Sequence, residues 1–510
     1  MIVVRTWAVA LTGLRGELIE VEADITQHRP DFRLIGMPDK ALAEAVRRVT
    51  NASENSGLKL PDRRLTVNLL PASLPKQGSG FDLAVAMAAL ATDGRVDPES
   101  LARTVHIGEL GLDGRIRAVP GVLPAVLAAV RAGRPRVVVP HENREEAELV
   151  PGAEIIAAEN LAQVARLHGA ELDDMVIEAP SPPIARAISE PRRDESLDLS
   201  DVVGQPQSVD ALIVAAAGGH HVLMSGPPGA GKTMLARRMP GILPVLDDEA
   251  ALEVASIRSL SGERVTGLTR TPPFEAPHHS ATMVALVGGG SRKAAPGAIA
   301  RASRGVLFLD EVAEAPRSVL DALRQPLEHG SISIHRSGFT ASFPARFQLV
   351  LAMNPCPCGE FGVAGATCTC SPADVRRYAG KISGPLLDRV DIDLRLERVS
   401  RLGEEGGSTT SAQARETVVQ ARSRAAERLA DTPWRTNAEV GGRWLREGPR
   451  ALRGAARRTL DSALQRGLLT LRAYDRVTRV AWTIADIEGR GTPNAADVGR
   501  ALFLKKGVAR

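Results

Sequence analysis

The stretch Gly226-Pro-Pro-Gly-Ala-Gly-Lys-Thr233 has the spacing G-x-x-x-x-G-K-[ST]. Glycines at these positions let a backbone turn wrap an anion, so that successive N–H groups and the start of the following helix face a phosphate chain. Lys232 then reaches the β- and γ-phosphates, and the Thr233 hydroxyl sits on Mg²⁺. Gly226, Pro227, Pro228, Gly229, Ala230, Gly231, Lys232, Thr233 and Met234 are therefore candidate nucleotide contacts, together with Gly204 and Gln205 upstream. Further along, Arg304-Gly-Val-Leu-Phe-Leu-Asp-Glu311 ends an apolar run in two carboxylates. Asp310 can hold the metal and its water shell, and Glu311 can polarise the attacking water as general base. A strand ending in Asp-Glu is common by itself; behind a phosphate loop it becomes specific for ATP hydrolysis. A third apolar run, Phe347-Gln-Leu-Val-Leu-Ala-Met-Asn354, ends in an amide that can orient the lytic water and touch the γ-phosphate without adding charge.

All four cysteines fall in one short segment as C-x-C-x9-C-x-C: Cys356, Cys358, Cys368 and Cys370. Four thiolates suit tetrahedral Zn²⁺, although the spacing is tighter than the usual C-x2-C; reduced surface thiols are the alternative.

These groups need elements to hold them. His220-His-Val-Leu-Met-Ser reads as a buried strand feeding the glycine-rich turn, and Met234-Leu-Ala-Arg-Arg-Met continues as a helix. With the runs before Asp310 and Asn354 this is the core of a P-loop nucleotide domain, and the Asn position suggests its AAA+ branch. Ahead of it, Leu65–Leu70 and Arg136–Pro140 read as strands, and Ala84–Ala91 and Val122–Ala132 as Ala-rich helices, an α/β or α+β pattern. Proline-rich text from Ala179 to Arg193 reads as a linker, and a polar run from Gly403 leads into an Arg-rich helical region. The expected divisions are 1–175, a linker 176–197, an ATPase domain 198–400 and a basic helical segment 401–510.

The chain has 510 residues, 44% hydrophobic and 24% charged, which excludes disorder, collagen and disulfide-framework classes for its bulk. No apolar run is long enough to span a bilayer. Met1-Ile-Val-Val-Arg-Thr-Trp lacks signal-peptide features, so the expected compartment is the cytoplasm. Net charge is +4, but from Arg401 onward about 21 Lys+Arg stand against about 12 Asp+Glu. That excess permits an anionic partner. Aromatics at 3% argue against base stacking as a main nucleic-acid mode.

Between and beyond these motifs stand Pro273-Phe-Glu-Ala-Pro-His-His-Ser-Ala-Thr282, Val287-Gly-Gly-Gly290, Gly384-Pro-Leu-Leu-Asp-Arg-Val-Asp-Ile392 and Leu471-Arg-Ala-Tyr-Asp-Arg-Val-Thr-Arg-Val-Ala-Trp-Thr-Ile-Ala-Asp486. The series closely resembles the magnesium-chelatase-like AAA+ ATPases of the YifB/ComM family over essentially the whole chain. The resemblance implies a ring, in the expected form a hexamer, with ATP sites shared between neighbours. It implies Arg389 as the arginine finger and Arg472 as the sensor-2 arginine, with Arg476 as the other candidate. Unaided, these arginines read equally as a basic helix face forming surface ion pairs.

Leu74-Pro-Lys-Gln-Gly-Ser-Gly-Phe-Asp-Leu83 and Gly108-Glu-Leu-Gly-Leu-Asp-Gly-Arg-Ile-Arg-Ala-Val-Pro-Gly121 resemble the Lon-type protease domain. Aligning them leaves Ser79 one residue out of phase with the nucleophile and puts Leu123 near the position of the Lys base, which Leu cannot replace. A Lon-like α/β fold lacking the catalytic dyad is expected.

Ser331-Ile-Ser-Ile-His-Arg-Ser-Gly-Phe-Thr-Ala-Ser-Phe343 reads as a β-hairpin, placed where ring motors of this type carry a pore hairpin; Arg336 near its tip could hold a phosphate. The His278–Val287 insertion looks like the second pore-facing element, with His278 and His279 structural or partner-facing rather than metal ligands. The family implies a motor on single-stranded or branched DNA, without sequence specificity and without a membrane. Alternatives from other classes are a chaperone-like AAA+ protein, a magnesium-chelatase subunit and an ATP-dependent protease.

Overall fold

The computed structural model describes residues 3–37, 40–76, 78–172, 197–290, 295–336, 339–363, 365–399 and 409–506. The expected linker, all but its last residue, and the polar run from Gly403 to Ser408 lie outside them.

The first sheet has seven strands in the order Asp31–Ile35, Arg64–Leu70, Arg15–Thr26, Val4–Thr12, Val105–His106, Arg136–Pro140, Glu154–Ala158. Val4–Thr12 and Arg15–Thr26 form a long hairpin, and Arg64–Leu70 pairs antiparallel with the second of these. From Val4–Thr12 outward through Val105–His106, Arg136–Pro140 and Glu154–Ala158, every pairing is parallel. The helix Asp82–Ala91 is buried at all ten positions, which explains its unbroken apolar text: it has no solvent face to mark. Its first residue, Asp82, receives Arg48 through Nε at 2.6 Å and Nη2 at 2.9 Å. Burial outweighs that pairing and raises the carboxyl to about 6.

The second sheet is wholly parallel, in the order Phe274–Glu275, Val306–Leu309, Gln348–Met353, Val222–Ser225, Ile392–Arg395. Its three central strands are nearly all buried, as expected of a sheet covered on both faces. Because they run the same way, the residues after Ser225, Leu309 and Met353 converge at one edge. That convergence assembles the phosphate loop, Asp310–Glu311 and Asn354.

The C-terminal helices Ser411–Arg428, Gly454–Gln465, Leu471–Ile487 and Ala495–Lys506 share one core with Pro206–Gly218 and Lys232–Ile242, the helices flanking the phosphate-loop strand. Much of the arginine excess is spent inside this interface. Arg415 Nε donates to Gly241 O at 2.8 Å, Arg422 Nη2 to Ala216 O at 2.7 Å, and Arg424 Nη1 to Asp486 O at 2.6 Å. Each acceptor lies in the last turn of a helix, where carbonyls lack intrahelical partners and cations are favoured. Arg428 pairs with the Asp486 carboxylate, Nη2 to Oδ2 at 2.8 Å. Charge counting along the sequence treats these arginines as free for an anionic partner; in the fold these four hold helices together.

The two sheets are docked. Gly121 N–H donates to Ser259 O at 3.1 Å, and Ala255 and Val265 join the core beneath Val105, Val122 and Val137. Gly13, at φ +65°, bridges Ser342; a Cβ there would lie 2.3 Å from Ser342 O, so only glycine permits this approach. Ser342 belongs to the hairpin Ser331–Arg336/Phe339–Pro344, which pairs from Ser331↔Pro344 to Arg336↔Phe339 as expected. Its turn, and the side chain of Arg336, lie outside the described residues.

Candidate active site

Gly226 follows the buried strand Val222–Ser225, and Gly229 and Gly231 take φ of +80° and +84°, turning the chain into the helix Lys232–Ile242. A Cβ on Gly226 would meet Leu396 O at 2.5 Å. Lys232 is buried, and its ammonium donates to Gly226 O at 2.6 Å, Pro227 O at 3.0 Å and Asn354 Oδ1 at 3.0 Å. Burial lowers its pKa; Asp310 and Glu311 oppose that shift. The lysine and the strand-end amide, far apart in sequence, are in direct contact.

Thr233 Oγ1 donates to Asp310 Oδ2 at 2.7 Å, and the N–H of Glu311 donates to Asp310 Oδ1 at 2.9 Å. Both carboxylate oxygens are thus oriented. A hydroxyl and a carboxylate oxygen 2.7 Å apart can approach one Mg²⁺, whose octahedral bonds of about 2.1 Å place neighbouring ligands about 3.0 Å apart. Glu311 holds φ +48°, a left-handed conformation in a non-glycine residue that costs about 1 kcal/mol. Its half-exposed carboxylate lies 2.9 Å from His279 Nδ1, and the His279 ring lies against His278, tilted by 36°, with centroids 4.0 Å apart. Spacing along the sequence does not pair His279 with Glu311, because the two residues lie on different strand-end loops; only the sheet brings them together.

Gln205 Nε2 donates to Ala230 O at 2.8 Å, tying the segment before helix Pro206–Gly218 to the phosphate loop, while its Oε1 is buried without a hydrogen-bond partner. Gly204 precedes it at φ +73°, and Met234 lies in the first turn after Thr233.

The three candidate arginines stand on another face. Arg389 pairs with Glu328 and donates to Pro385 O. Its pKa is lowered by burial and by neighbouring Arg324 and Arg472. Arg472 Nη1 bonds Asp388 Oδ2 at 2.7 Å, next to Arg389 in sequence, while Arg476 bonds Val390 O at 2.9 Å beside buried Asp391. Arg472 is the more exposed and Arg476 the more enclosed. Neither contacts the Lys232 cluster.

Cys356, Cys358, Cys368 and Cys370 come together with all four Sγ atoms within 4.8 Å of one another. Beside the first sheet, Ser79 Oγ bonds Glu109, and Leu123, in the helix Val122–Arg131, is fully buried. The sequence alignment offers no lysine to activate Ser79. Lys76, three residues away, is itself fully buried and donates to Pro71 O.

The family "Magnesium chelatase, subunit ChlI" matches residues 198–403, its companion "Subunit ChlI of Mg-chelatase" matches 21–143, and "Magnesium chelatase, subunit ChlI C-terminal" matches 408–505. Competence protein ComM of Haemophilus influenzae is 40% identical over 94% of this chain and 93% of its own length, and YifB of Escherichia coli 39% over 94% and 92%. The chain belongs to the YifB/ComM magnesium-chelatase-like family. This family is of the AAA+ nucleotide-binding type. Within it, an uncharacterized Mycobacterium tuberculosis protein is 48% identical over 99% of both chains. A Lon protease of Mycolicibacterium smegmatis matches 28% of this chain at 30% identity, covering 19% of that enzyme. Among the described residues no helix is long and apolar enough to cross a membrane.

Proposed function

We propose that the protein is a Mg²⁺-dependent AAA+ ATPase whose subunits close into a ring, in the expected form a hexamer, that remodels single-stranded or branched DNA. The observation that carries the ATPase reading is the meeting of Lys232 with Asn354 and of Thr233 with Asp310 at one edge of a parallel sheet. In this reading the Lys232 ammonium moves from loop carbonyls to the β- and γ-phosphates, and Thr233 with Asp310 holds the metal. Glu311 draws the proton from the attacking water, and Asn354 orients that water. Mg²⁺ would neutralise charge building on the phosphates.

Arg389 and Arg472 share a face and do not contact the Lys232 site of their own chain, which supports both acting on a neighbour's phosphates. Hydrolysis would then be complete only where two subunits meet. Residues 198–400 form the motor, 401–510 its helical lid, and 1–175 a Lon-like domain without peptidase chemistry. The cysteine cluster would hold a structural Zn²⁺.

DNA as the substrate is supported by the hairpin beside the ATPase sheet and by the name of the relative, competence protein ComM. A protein substrate is the second reading, favoured by one observation: many C-terminal arginines are committed to helix carbonyls and buried carboxylates. Measuring ATP turnover of wild type and Lys232→Ala with and without forked DNA separates the two. Stimulation by forked DNA, absent in Lys232→Ala and weakened by salt, supports the DNA motor. Turnover indifferent to DNA, with no complex at low salt, removes it.

A further inference from the structure

The cysteine cluster is joined to the phosphate loop. Cys356 and Cys358 lie 3.3 Å apart at Sγ, Cys356 and Cys368 3.8 Å, and Cys358 and Cys368 3.6 Å. Tetrahedral Zn²⁺ with Zn–S bonds of about 2.3 Å requires S···S edges of about 3.8 Å; a disulfide would bring two sulfurs to about 2.05 Å. The Cys356 sulfur accepts the N–H of Phe361 at 3.3 Å, the backbone contact expected around a thiolate ligand. Three sulfurs thus form a triangle with edges near that length, and the Cys370 sulfur lies within 4.8 Å of each of them.

Two contacts run from this knuckle to the outer turn of the phosphate loop. Gly359 closes the first turn of the knuckle, donating to Cys356 O at 3.0 Å with φ +81°. A Cβ there would lie 2.6 Å from Pro228 Cδ, so knuckle backbone and loop proline are in van der Waals contact. Alongside, Arg398 Nη2 donates to Glu360 Oε1 at 2.8 Å, and its Nε donates to Pro228 O at 3.3 Å. One guanidinium thereby straps the knuckle to the loop. Asn354, two residues before Cys356, contacts Lys232 from the other end of the same segment.

We propose that the four cysteines bind a zinc ion whose knuckle braces the phosphate loop, so that nucleotide affinity depends on metal occupancy. The loop is rich in glycine and loses much backbone freedom on ordering; a rigid neighbour held by four bonds to one ion lowers that cost. The brace rests on the nucleotide reading of the Lys232 site, and the experiment keeps the two apart.

Full-length protein is analysed for zinc and for affinity toward a fluorescent ADP analogue. The set is wild type, the double variant Cys368→Ser/Cys370→Ser, Arg398→Ala and Lys232→Ala, with circular dichroism as the check on folding. The expected result is one zinc per chain in wild type and in Arg398→Ala, and none in the double variant. Nucleotide affinity is weaker by about tenfold in the double variant and by several-fold in Arg398→Ala despite its zinc. A folded, zinc-free double variant with wild-type affinity overturns the brace, as does a wild type without zinc and with all four thiols titratable. If the double variant does not fold, Arg398→Ala decides: unchanged affinity overturns the proposal. A wild type that holds zinc but binds no nucleotide overturns the nucleotide reading itself, a result distinct from the others.

Discussion

Substituting Lys232→Met separates what the lysine ammonium does for the fold from what it does for a ligand. In the free protein the ammonium is buried against Gly226 O, Pro227 O and Asn354 Oδ1, and burial lowers its pKa, so keeping it charged there has a cost. The Lys232→Met variant loses three hydrogen bonds but also that desolvation cost. The two nearly cancel, and unfolding free energy should change by less than about 1 kcal/mol. With nucleotide the balance differs, because a charge-assisted bond to phosphate is worth about 1.5–3 kcal/mol net. Wild type must first release the bonds to Gly226 O and Pro227 O, which places the difference in the lower half of that range, about 1.5–2 kcal/mol. Affinity for ATP should therefore fall about 10- to 30-fold. Equilibrium binding of a fluorescent ATP analogue, alongside urea unfolding without ligand, measures both quantities. Binding within twofold of wild type, or a loss of unfolding free energy as large as the loss in binding, refutes this division of roles.

Glu311→Gln should bind ATP at wild-type affinity while turnover drops about 10²- to 10⁴-fold, measured by phosphate release under single-turnover conditions. Equal loss of binding would assign Glu311 to ligand contact instead. His279→Ala frees the Glu311 carboxylate from its 2.9 Å partner and should change turnover with little effect on nucleotide affinity; identical turnover in both proteins would remove His279 from the mechanism. Mixing Glu311→Gln with Arg389→Ala should restore ATP turnover that neither variant shows alone, since some interfaces then pair an intact base with an intact arginine. No recovery on mixing would place Arg389 outside its neighbour's site. Beside the first sheet, His168 at the end of helix Leu161–Leu167 is buried against the strand residue His106 at 3.0 Å, and burial lowers its pKa to about 4. The folded chain therefore holds fewer protons than the unfolded one below about pH 6.5. Stability is fully present above that pH and falls by at most about 3 kcal/mol as acidification reaches pH 4. Urea titrations at pH 7 and 5 should show the loss, and His168→Gln should flatten it.

The phosphate loop, the Asp-Glu pair, the strand-end Asn and the cysteine cluster were legible because their chemistry depends on local spacing. A glycine-rich turn must be contiguous, and four thiolates two and ten residues apart already limit the geometry. The strands beneath them were legible too, since burial on both faces writes an unbroken apolar run. Helix Asp82–Ala91 could be read as helical but not as wholly enclosed, because the same text serves any apolar environment.

Composition and motif order determined the family and marked the candidate phosphate-loop and cysteine residues. Tertiary structure alone decided which groups meet: His279 with Glu311, Arg472 with Asp388, Arg398 with Pro228, and the C-terminal arginines with helix-end carbonyls. The reason is physical. Local conformation is set by neighbours along the chain, whereas a parallel sheet joins strand ends separated by whole helices, and the interaction of two side chains depends on that distance in space.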